Sequence, residues 1–297
     1  MRQLVQAGHE VSGTTRSESR AGLIREDGGD PVVVDALDRG ALLSAVAGAR
    51  PDAVVHQLTL IPSEINPRKM AEQFEVTDRL RTEGTHNLVD AARAAGARRV
   101  IAQSIAFVYR MDGRPDEVKT ESDPLMGDDA PQSVRGIAAA VAEMERTVLD
   151  AGGIVLRYGY FYGPGTSYAA SDGATAQRVR KRGFPIMGDG AGVFPFIHVD
   201  DAAAATVAAL ERGDPGVYNV VDDEPAPLRE WMPVYAEAVG AKPPRRVPKL
   251  AARIAAGKMA AEGATKMRGV SNEKAKRELG WEPRYPSWRQ GFFEAAG

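Results

Sequence analysis

An apolar run of strand length that ends in a hydroxyl and a tyrosine constrains the fold more than any other stretch of this sequence. The run lies within 98–109, where Val100-Ile101-Ala102 precedes Ser104 and Tyr109. Such a run is typical of a parallel strand buried on both faces. In open α/β sheets, ligands bind beyond the carboxyl ends of the strands, so Ser104 and Tyr109 lie where chemistry is expected. The alternative is a strand and a turn packed under an aromatic ring.

Strand and helix signals alternate on both sides of this run. Apolar stretches that end at His56, Arg157 and His198 have the same form. Helical patterns lie between them, the longest predicted over 68–95 and 133–151. The alternation predicts an α/β fold with a parallel sheet, and the chain beyond residue 221 is predicted to be mostly helical.

Charge and composition argue against several classes of protein. A net charge of −2 argues against a general nucleic-acid binder or a protein that binds acidic membranes. The absence of cysteine excludes disulfides, thiolate catalysis and Cys-ligated metals, and histidines and carboxylates show no metal-ligand spacing. No apolar run approaches the roughly 18 residues that a membrane span needs. We therefore expect a soluble, cytoplasmic protein without a metal site.

Several stretches, taken in chain order, carry a family resemblance. They are Val32-Val33-Val34-Asp35, Ala53-Val54-Val55-His56, Ile101-Ala102-Gln103-Ser104 with Val108-Tyr109, Val155-Leu156-Arg157 with Phe161-Tyr162-Gly163-Pro164-Gly165, Phe196-Ile197-His198-Val199-Asp200-Asp201, Val217-Tyr218-Asn219-Val220, and Glu278-Leu279-Gly280-Trp281 with Pro283. Together they resemble the extended short-chain dehydrogenase/reductase superfamily of the NAD-dependent epimerase/dehydratase type.

The resemblance implies a Rossmann-type, doubly wound sheet that binds NAD(P), with a small C-terminal lobe that closes over the substrate. It places a nucleotide-binding core in 1–165, and the remaining core strands, interleaved with the substrate lobe, in 166–297. It also implies pairing of two copies through the long helices predicted over 68–95 and 133–151.

The resemblance further implies four cofactor-binding residues. Arg16 comes just after the strand that corresponds to the family's second, and it is placed to pair with the 2′-phosphate of NADP, which favours NADP over NAD. The alternative is a solvated loop arginine. Asp35 resembles the acid that contacts the adenine. Leu58 and Thr59 follow the strand that passes along the ribose and nicotinamide.

The first departure from the family pattern is at the N-terminus. A nucleotide-binding unit begins with a strand and a glycine-rich turn whose backbone N–H groups hold the pyrophosphate. The sequence instead opens on a helical pattern closed by Gly8, as though roughly 15–20 residues of such a unit preceded Met1. We expect the first strand and the glycine loop to be missing.

The second departure concerns proton transfer. The family's reductases use a tyrosine and a lysine four residues later, on one helix face. This sequence contains no Tyr-x-x-x-Lys, and alignment on Glu145 places Ile137 and Val141 at those positions. Ile105 occupies the position of the usual catalytic hydroxyl.

The remaining candidates for chemistry are hydroxyl groups. Ser104 and Tyr109 are the catalytic candidates at the strand end, and Tyr158, Tyr160 and Tyr162 are expected to line a substrate pocket. The first hypothesis is an atypical NAD(P)-dependent oxidoreductase or epimerase/dehydratase-like enzyme acting on a small polar or sugar-like substrate. The alternatives are a non-catalytic NAD(P)-binding regulator or scaffold, and a cofactor-independent lyase or isomerase on the same fold.

Overall fold

Parallel strands alternate with helices along most of the chain. The structure is a computed structural model that describes residues 1–62, 65–66, 69–114 and 116–294. The strands are β1 Ser12–Thr15, β2 Asp30–Val33, β3 Ala53–His56, β4 Arg99–Ile105, β5 Val118–Lys119, β6 Ile154–Tyr158, β7 Tyr160–Tyr162, β8 Ile186–Met187, β9 Val193–Phe194, β10 Phe196–His198, β11 Gly216–Val220, β12 Ala226–Pro227, β13 Arg246–Val247 and β14 Gly269–Val270. The helices are α1 Arg2–Gln6, α2 Glu18–Glu26, α3 Arg39–Ala49, α4 Met70–Arg79, α5 Thr85–Ala94, α6 Gln132–Asp150, α7 Ala174–Arg180, α8 Val199–Glu211, α9 Leu228–Ala238, α10 Lys249–Lys266, α11 Glu273–Leu279 and α12 Trp288–Glu294.

The main sheet has four parallel strands in the order β11-β6-β4-β3. Its registers pair Ile101 with Ile154, and Val217 with Val155. Strands β1 and β2 form a second parallel pair. The carboxyl ends of the four main strands therefore lie along one edge, as the apolar runs predict.

Helices cover both faces of the main sheet. On one face, Val100 and Val155 pack in a cluster with Leu42 of α3 and Leu88 of α5. On the other face, Ile101 belongs to a cluster that α8 and α11 complete. Because neighbouring residues of a strand point to opposite faces, a strand covered by helices on both sides is apolar along its length. The predicted α/β Rossmann-type fold is confirmed.

The C-terminal helices surround a second, aromatic core. Phe196, Trp231, Tyr235, Trp288 and Phe292 are almost fully buried in one cluster. Helix α10 is interrupted at Gly257, where φ is +87°, a backbone conformation that favours glycine.

The helix predicted over 68–95 contains a local irregularity. It consists of α4, a π-helical turn at Leu80–Gly84, and α5; Arg68, its predicted first residue, lies outside the described residues. A π-helical turn shifts the hydrogen-bond register of a helix, and such turns are frequent at functional sites. Here it precedes Thr85, which contacts the end of β3.

Candidate active site

A buried hydrogen-bonded network joins four elements at the carboxyl edge of the sheet. Ser104 Oγ donates to Glu145 Oε1 at 2.5 Å. Arg157 forms a bidentate ion pair with Glu145, Nε to Oε1 at 2.9 Å and Nη2 to Oε2 at 2.6 Å. Arg157 Nη1 donates to Tyr109 OH at 2.7 Å, and that hydroxyl donates to Asn219 Oδ1 at 2.7 Å. All five residues are buried, and together they connect the ends of β4, β6 and β11 to α6.

Burial and charge act together on the pKa values of Tyr109 and Arg157. Burial raises the pKa of Tyr109 to about 12, although the Arg157 guanidinium opposes that shift. Burial by itself would lower the pKa of Arg157, but the hydrogen bonds and charge of Glu145 raise it overall. The phenol of Tyr109 is therefore neutral and the guanidinium charged at ordinary pH.

Ser104 and Tyr109 lie at the strand end, as predicted, and both hydroxyls already have protein partners there. The geometry favours a positioning role for both side chains, while their catalytic role stays a prediction. Sequence reasoning missed Glu145 and Asn219 as members of the site. The available signal was an acid on the buried face of a helix, together with an arginine inside an apolar strand.

An aliphatic cluster occupies the region where the resemblance implies proton transfer. Val141 is buried and Ile137 half-buried, one turn apart on α6, and both pack in a cluster with Ile105 from the end of β4. Met259 of α10 packs against the same cluster. We call Ile105, Ile137 and Val141 the aliphatic wall. None of these three side chains can donate or accept a proton.

The structure separates the three tyrosines predicted to line a pocket. Tyr158 lies under α8, where its hydroxyl is 2.7 Å from Thr206 Oγ1, and burial raises its pKa to about 12. Tyr162 is fully buried in the aromatic core against Phe292. Tyr160 is half-buried and stacks on Phe107 with ring centroids 4.1 Å apart. Their role in a pocket stays a prediction.

Phe107 and Tyr160 lie close to the aliphatic wall. Phe107 follows Ile105 by two residues at the end of β4. Met111 packs against both the aromatic core and the aliphatic cluster. Phe107 therefore starts from the same strand end as Ile105, while its ring packs with Tyr160 against the aromatic core.

The predicted cofactor residues follow the carboxyl ends of their own strands. Arg16 is exposed after β1, and Asp35 is exposed after β2, where its Oδ1 accepts from the Leu37 N–H at 3.0 Å. After β3, Thr59 is exposed and Leu58 half-buried. A guanidinium, a carboxylate and a hydroxyl suit the phosphate and ribose groups of a dinucleotide. In the part of the chain that the structure describes, no glycine-rich turn links a strand to a helix at this edge.

His56 anchors the end of β3 beside the predicted cofactor residues. Its Nδ1 accepts from the Leu58 N–H at 3.1 Å, and its Nε2 lies 2.8 Å from Thr85 Oγ1. Because Thr85 Oγ1 donates to Arg81 O, the neutral ring carries its proton on Nε2. Burial lowers the pKa of His56 to about 4, so the ring is neutral at ordinary pH.

Among the described residues, His, Asp and Glu side chains form no group of three or more that could hold a metal ion. Within the same residues, no helix combines the length and hydropathy needed to cross a bilayer.

Comparison with solved structures shows a shared fold. The UDP-glucose 4-epimerase of Thermus thermophilus in complex with NAD superposes with a TM-score of 0.74 at 24% identity, over 99% of this chain and 92% of that one. A human epimerase family protein with NADPH superposes with a TM-score of 0.73 at 20% identity, over 99% and 93% of the two chains. At these identities the likeness shows the fold alone.

Comparison of sequences shows the family. A 3-diazoavenalumate denitrifying reductase from Streptomyces sp is 49% identical over 286 residues, 96% of this chain and 91% of that protein. The model of the NAD dependent epimerase/dehydratase family matches residues 1–221. This chain therefore belongs to the NAD-dependent epimerase/dehydratase family.

Proposed function

We propose that this chain is an NAD(P)H-dependent reductase that replaces a diazonium group on a small aromatic molecule with hydrogen. The observation that carries the proposal is its 49% identity, over 96% of the chain, to a reductase named for removing nitrogen from a diazo compound. This proposal replaces the sugar-like substrate of the first hypothesis with an aromatic one.

The chemistry of the aliphatic wall supports a reaction that takes hydride and no proton. Reduction of a carbonyl needs both, because the oxygen must be protonated as hydride reaches the carbon. In an aromatic diazonium ion, hydride adds to the carbon that bears nitrogen, the C–N bond breaks, and dinitrogen leaves with that electron pair. Cation and hydride give a neutral product, so Ile105, Ile137 and Val141 replace proton-transfer groups at no chemical cost. A neutral diazoalkane would also need a proton, so the wall favours the aromatic cation.

The stacked pair of Phe107 and Tyr160 suits a planar substrate. Aromatic rings prefer offset-stacked or edge-to-face contacts, and one such contact contributes about 0.5–1.5 kcal/mol beyond the area it buries. The pair lies beside the aliphatic wall, and its rings are only 4.1 Å apart. We infer that the face of Phe107 turned away from Tyr160 orients the aromatic ring of the substrate.

The network at the strand ends would hold the site in shape. Its buried ion pair fixes Arg157 against α6, and α6 in turn carries Ile137 and Val141. Arg16, Asp35, Leu58 and Thr59 would hold the dinucleotide, with Arg16 favouring NADP. When bound, the reduced nicotinamide supplies the hydride.

The test is an anaerobic assay of the chain with NADPH or NADH and a carboxylated benzenediazonium salt, read as loss of reduced nicotinamide and release of dinitrogen. Parallel assays contain a carbonyl panel, UDP-glucose, or no enzyme. We expect reduction of the diazonium salt well above the uncatalysed rate, and no reduction of carbonyls. Binding of the nucleotide without any turnover would instead support a regulator or scaffold. Turnover without nucleotide would support a lyase or isomerase.

A further inference from the structure

We infer that the aliphatic wall, Ile105, Ile137 and Val141, also protects the protein from its own substrate, because it presents no nucleophile to an electrophilic diazonium group. This inference rests on the proposed function and assigns the wall a role in substrate compatibility. Of the three residues, Ile137 is the one at which we expect a nucleophilic side chain to react most readily with the substrate.

The chemistry behind this inference is azo coupling. The terminal nitrogen of a diazonium ion is attacked by the ring carbon beside a phenolate oxygen, which forms a C–N bond and releases the ring proton. A deprotonated amine forms an N–N bond and a thiolate forms an S–N bond in the same way. A tyrosine and a lysine at the two α6 positions would be such groups, with the tyrosine activated by its neighbour. Each coupling event would consume both a substrate molecule and an active site.

The aliphatic wall lies near the candidate active site, so its composition matters where the substrate is expected to bind. Ile137 and Val141 lie on the face of α6 that packs against the end of β4. Glu145, which binds Ser104 and Arg157, lies on α6 eight residues after Ile137 and four residues after Val141. Val141 therefore lies one turn from the residue that binds the strand ends. Ile137 is half-buried, the more accessible of the two α6 members, and it also lines a groove between α4 and α6.

Most of the remaining phenols of the protein are buried. All eight tyrosines lie in the described part of the chain, six of them buried and the other two, Tyr160 and Tyr285, half-buried. Tyr160 is stacked on Phe107, and burial raises its pKa above the ordinary value, which keeps it in the unreactive neutral form. The chain contains no cysteine. Ser104 has its hydroxyl bound to Glu145 in the buried network.

The experiment compares Ile137→Tyr with Ile137→Phe, which has the same ring without the hydroxyl. Each folded protein is incubated with the benzenediazonium salt in the absence of nucleotide and analysed by intact mass and peptide mapping. We expect an arylazo adduct on the α6 peptide of Ile137→Tyr only. In the presence of NADPH, we expect the rate of Ile137→Tyr to decline progressively with turnover, while the rate of Ile137→Phe, whatever its initial value, does not decline.

A second pair of variants covers the case in which the larger Tyr and Phe side chains prevent the protein from folding. Ile137→Cys introduces a small thiol, and Ile137→Ser is its matched control. An unmodified phenol and an unmodified thiol at position 137 would overturn the inference, as would an equal adduct on Tyr160 in the wild type. Covalent labelling does not require the reduction reaction, so the two proposals can be separated. If the wild type does not reduce the salt but Ile137→Tyr is labelled, the proposed function is overturned, while the reactivity of a nucleophile at position 137 is still demonstrated.

Discussion

Glu145 is the residue on which the geometry of the strand ends depends. Its carboxylate binds Ser104 of β4 and Arg157 of β6, and the side chains of Glu145 and Arg157 are 5% and 6% exposed. A buried ion pair contributes little net stability compared with apolar side chains of similar volume, but loss of one partner leaves an uncompensated buried charge. The position therefore tolerates few substitutions.

We predict that Glu145→Gln lowers the free energy of unfolding by about 3–5 kcal/mol, the usual result of breaking a buried pair. Urea denaturation followed by circular dichroism measures this change. The matched control is Arg146→Gln, at an exposed position next to it on α6, where we expect a change within about 0.5 kcal/mol. Equal effects of the two substitutions would contradict the structural role of the network.

Tyr109→Phe separates the positioning role from the catalytic one. Removal of the hydroxyl leaves Arg157 Nη1 and Asn219 Oδ1 without their partner, so we predict a loss of about 1–3 kcal/mol in stability. We expect kcat to change little. Tyr218→Phe, which removes a hydrogen bond to Asp214 O elsewhere in the protein, is the control. A large fall in kcat with unchanged stability would show Tyr109 to be catalytic.

Arg16→Ala tests the preference for NADP. Loss of a charge-assisted hydrogen bond costs about 1.5–3 kcal/mol, so we predict a Kd for NADPH that rises roughly ten- to hundred-fold. The Kd for NADH should be unchanged, as should both values in Arg20→Ala, which alters an exposed arginine of α2. Titrations followed by nicotinamide fluorescence measure both constants. Equal weakening of both nucleotides by Arg16→Ala would rule out a 2′-phosphate contact.

Among the structural elements, β3 and the π-helical turn act together. The turn at Leu80–Gly84 precedes Thr85, and Thr85 binds the buried His56 at the end of β3. Leu58, a predicted cofactor residue, donates its N–H to the same imidazole. The protonation state of one ring therefore affects the loop that follows β3.

We predict that stability falls as the pH drops from about 6.5 to about 4. The pKa of His56 is about 4 in the folded protein and 6.5 in the unfolded chain, so the unfolded chain binds more protons across this interval. The shift corresponds to roughly 3 kcal/mol that is present at neutral pH and lost by pH 4. Unfolding free energies of the wild type and His56→Gln, measured across this range, isolate the contribution. An identical pH dependence of the two proteins would contradict a buried neutral imidazole.

Local patterns predicted the strands well, but they did not predict how the three tyrosines are distributed. The apolar runs ending at His56, Ser104 and Arg157 became β3, β4 and β6, because a strand covered on both faces is recognisable from its own residues. Tyr158 and Tyr160 are two residues apart, and strand alternation would put them on one face. The chain instead leaves β6 at Gly159, where an added Cβ would lie 2.8 Å from Pro195 O. That close approach depends on a segment distant in the sequence.

The partners within the site could not be read from the sequence for the same reason. Ser104 and Glu145 are 41 residues apart, and Tyr109 and Asn219 are 110 apart. Such pairings depend on how the sheet and α6 pack. The sequence did identify Ile105, Ile137 and Val141 as departures, because a missing Tyr-x-x-x-Lys is visible in the residues themselves.

At the scale of the whole molecule, the fold and the side chains of the candidate site give different information about function. A Rossmann-type fold hosts many reactions, so the fold alone does not select one. Membership of the NAD-dependent family indicates the class of cofactor, and under the proposed function the aliphatic wall would restrict the chemistry at the site. The predicted division at residue 165, the homodimer and the cytoplasmic location stay predictions.

Isotope labelling can trace the source of the hydrogen that the product receives. The enzyme is supplied with the benzenediazonium salt and NADPH carrying deuterium at C4 of the nicotinamide, in ordinary water, and with unlabelled NADPH in heavy water. We expect one deuterium, at the carbon that bore nitrogen, from the labelled NADPH and none from heavy water. Deuterium from heavy water at that carbon would show that the site delivers a proton, and would contradict a hydride-only reductase.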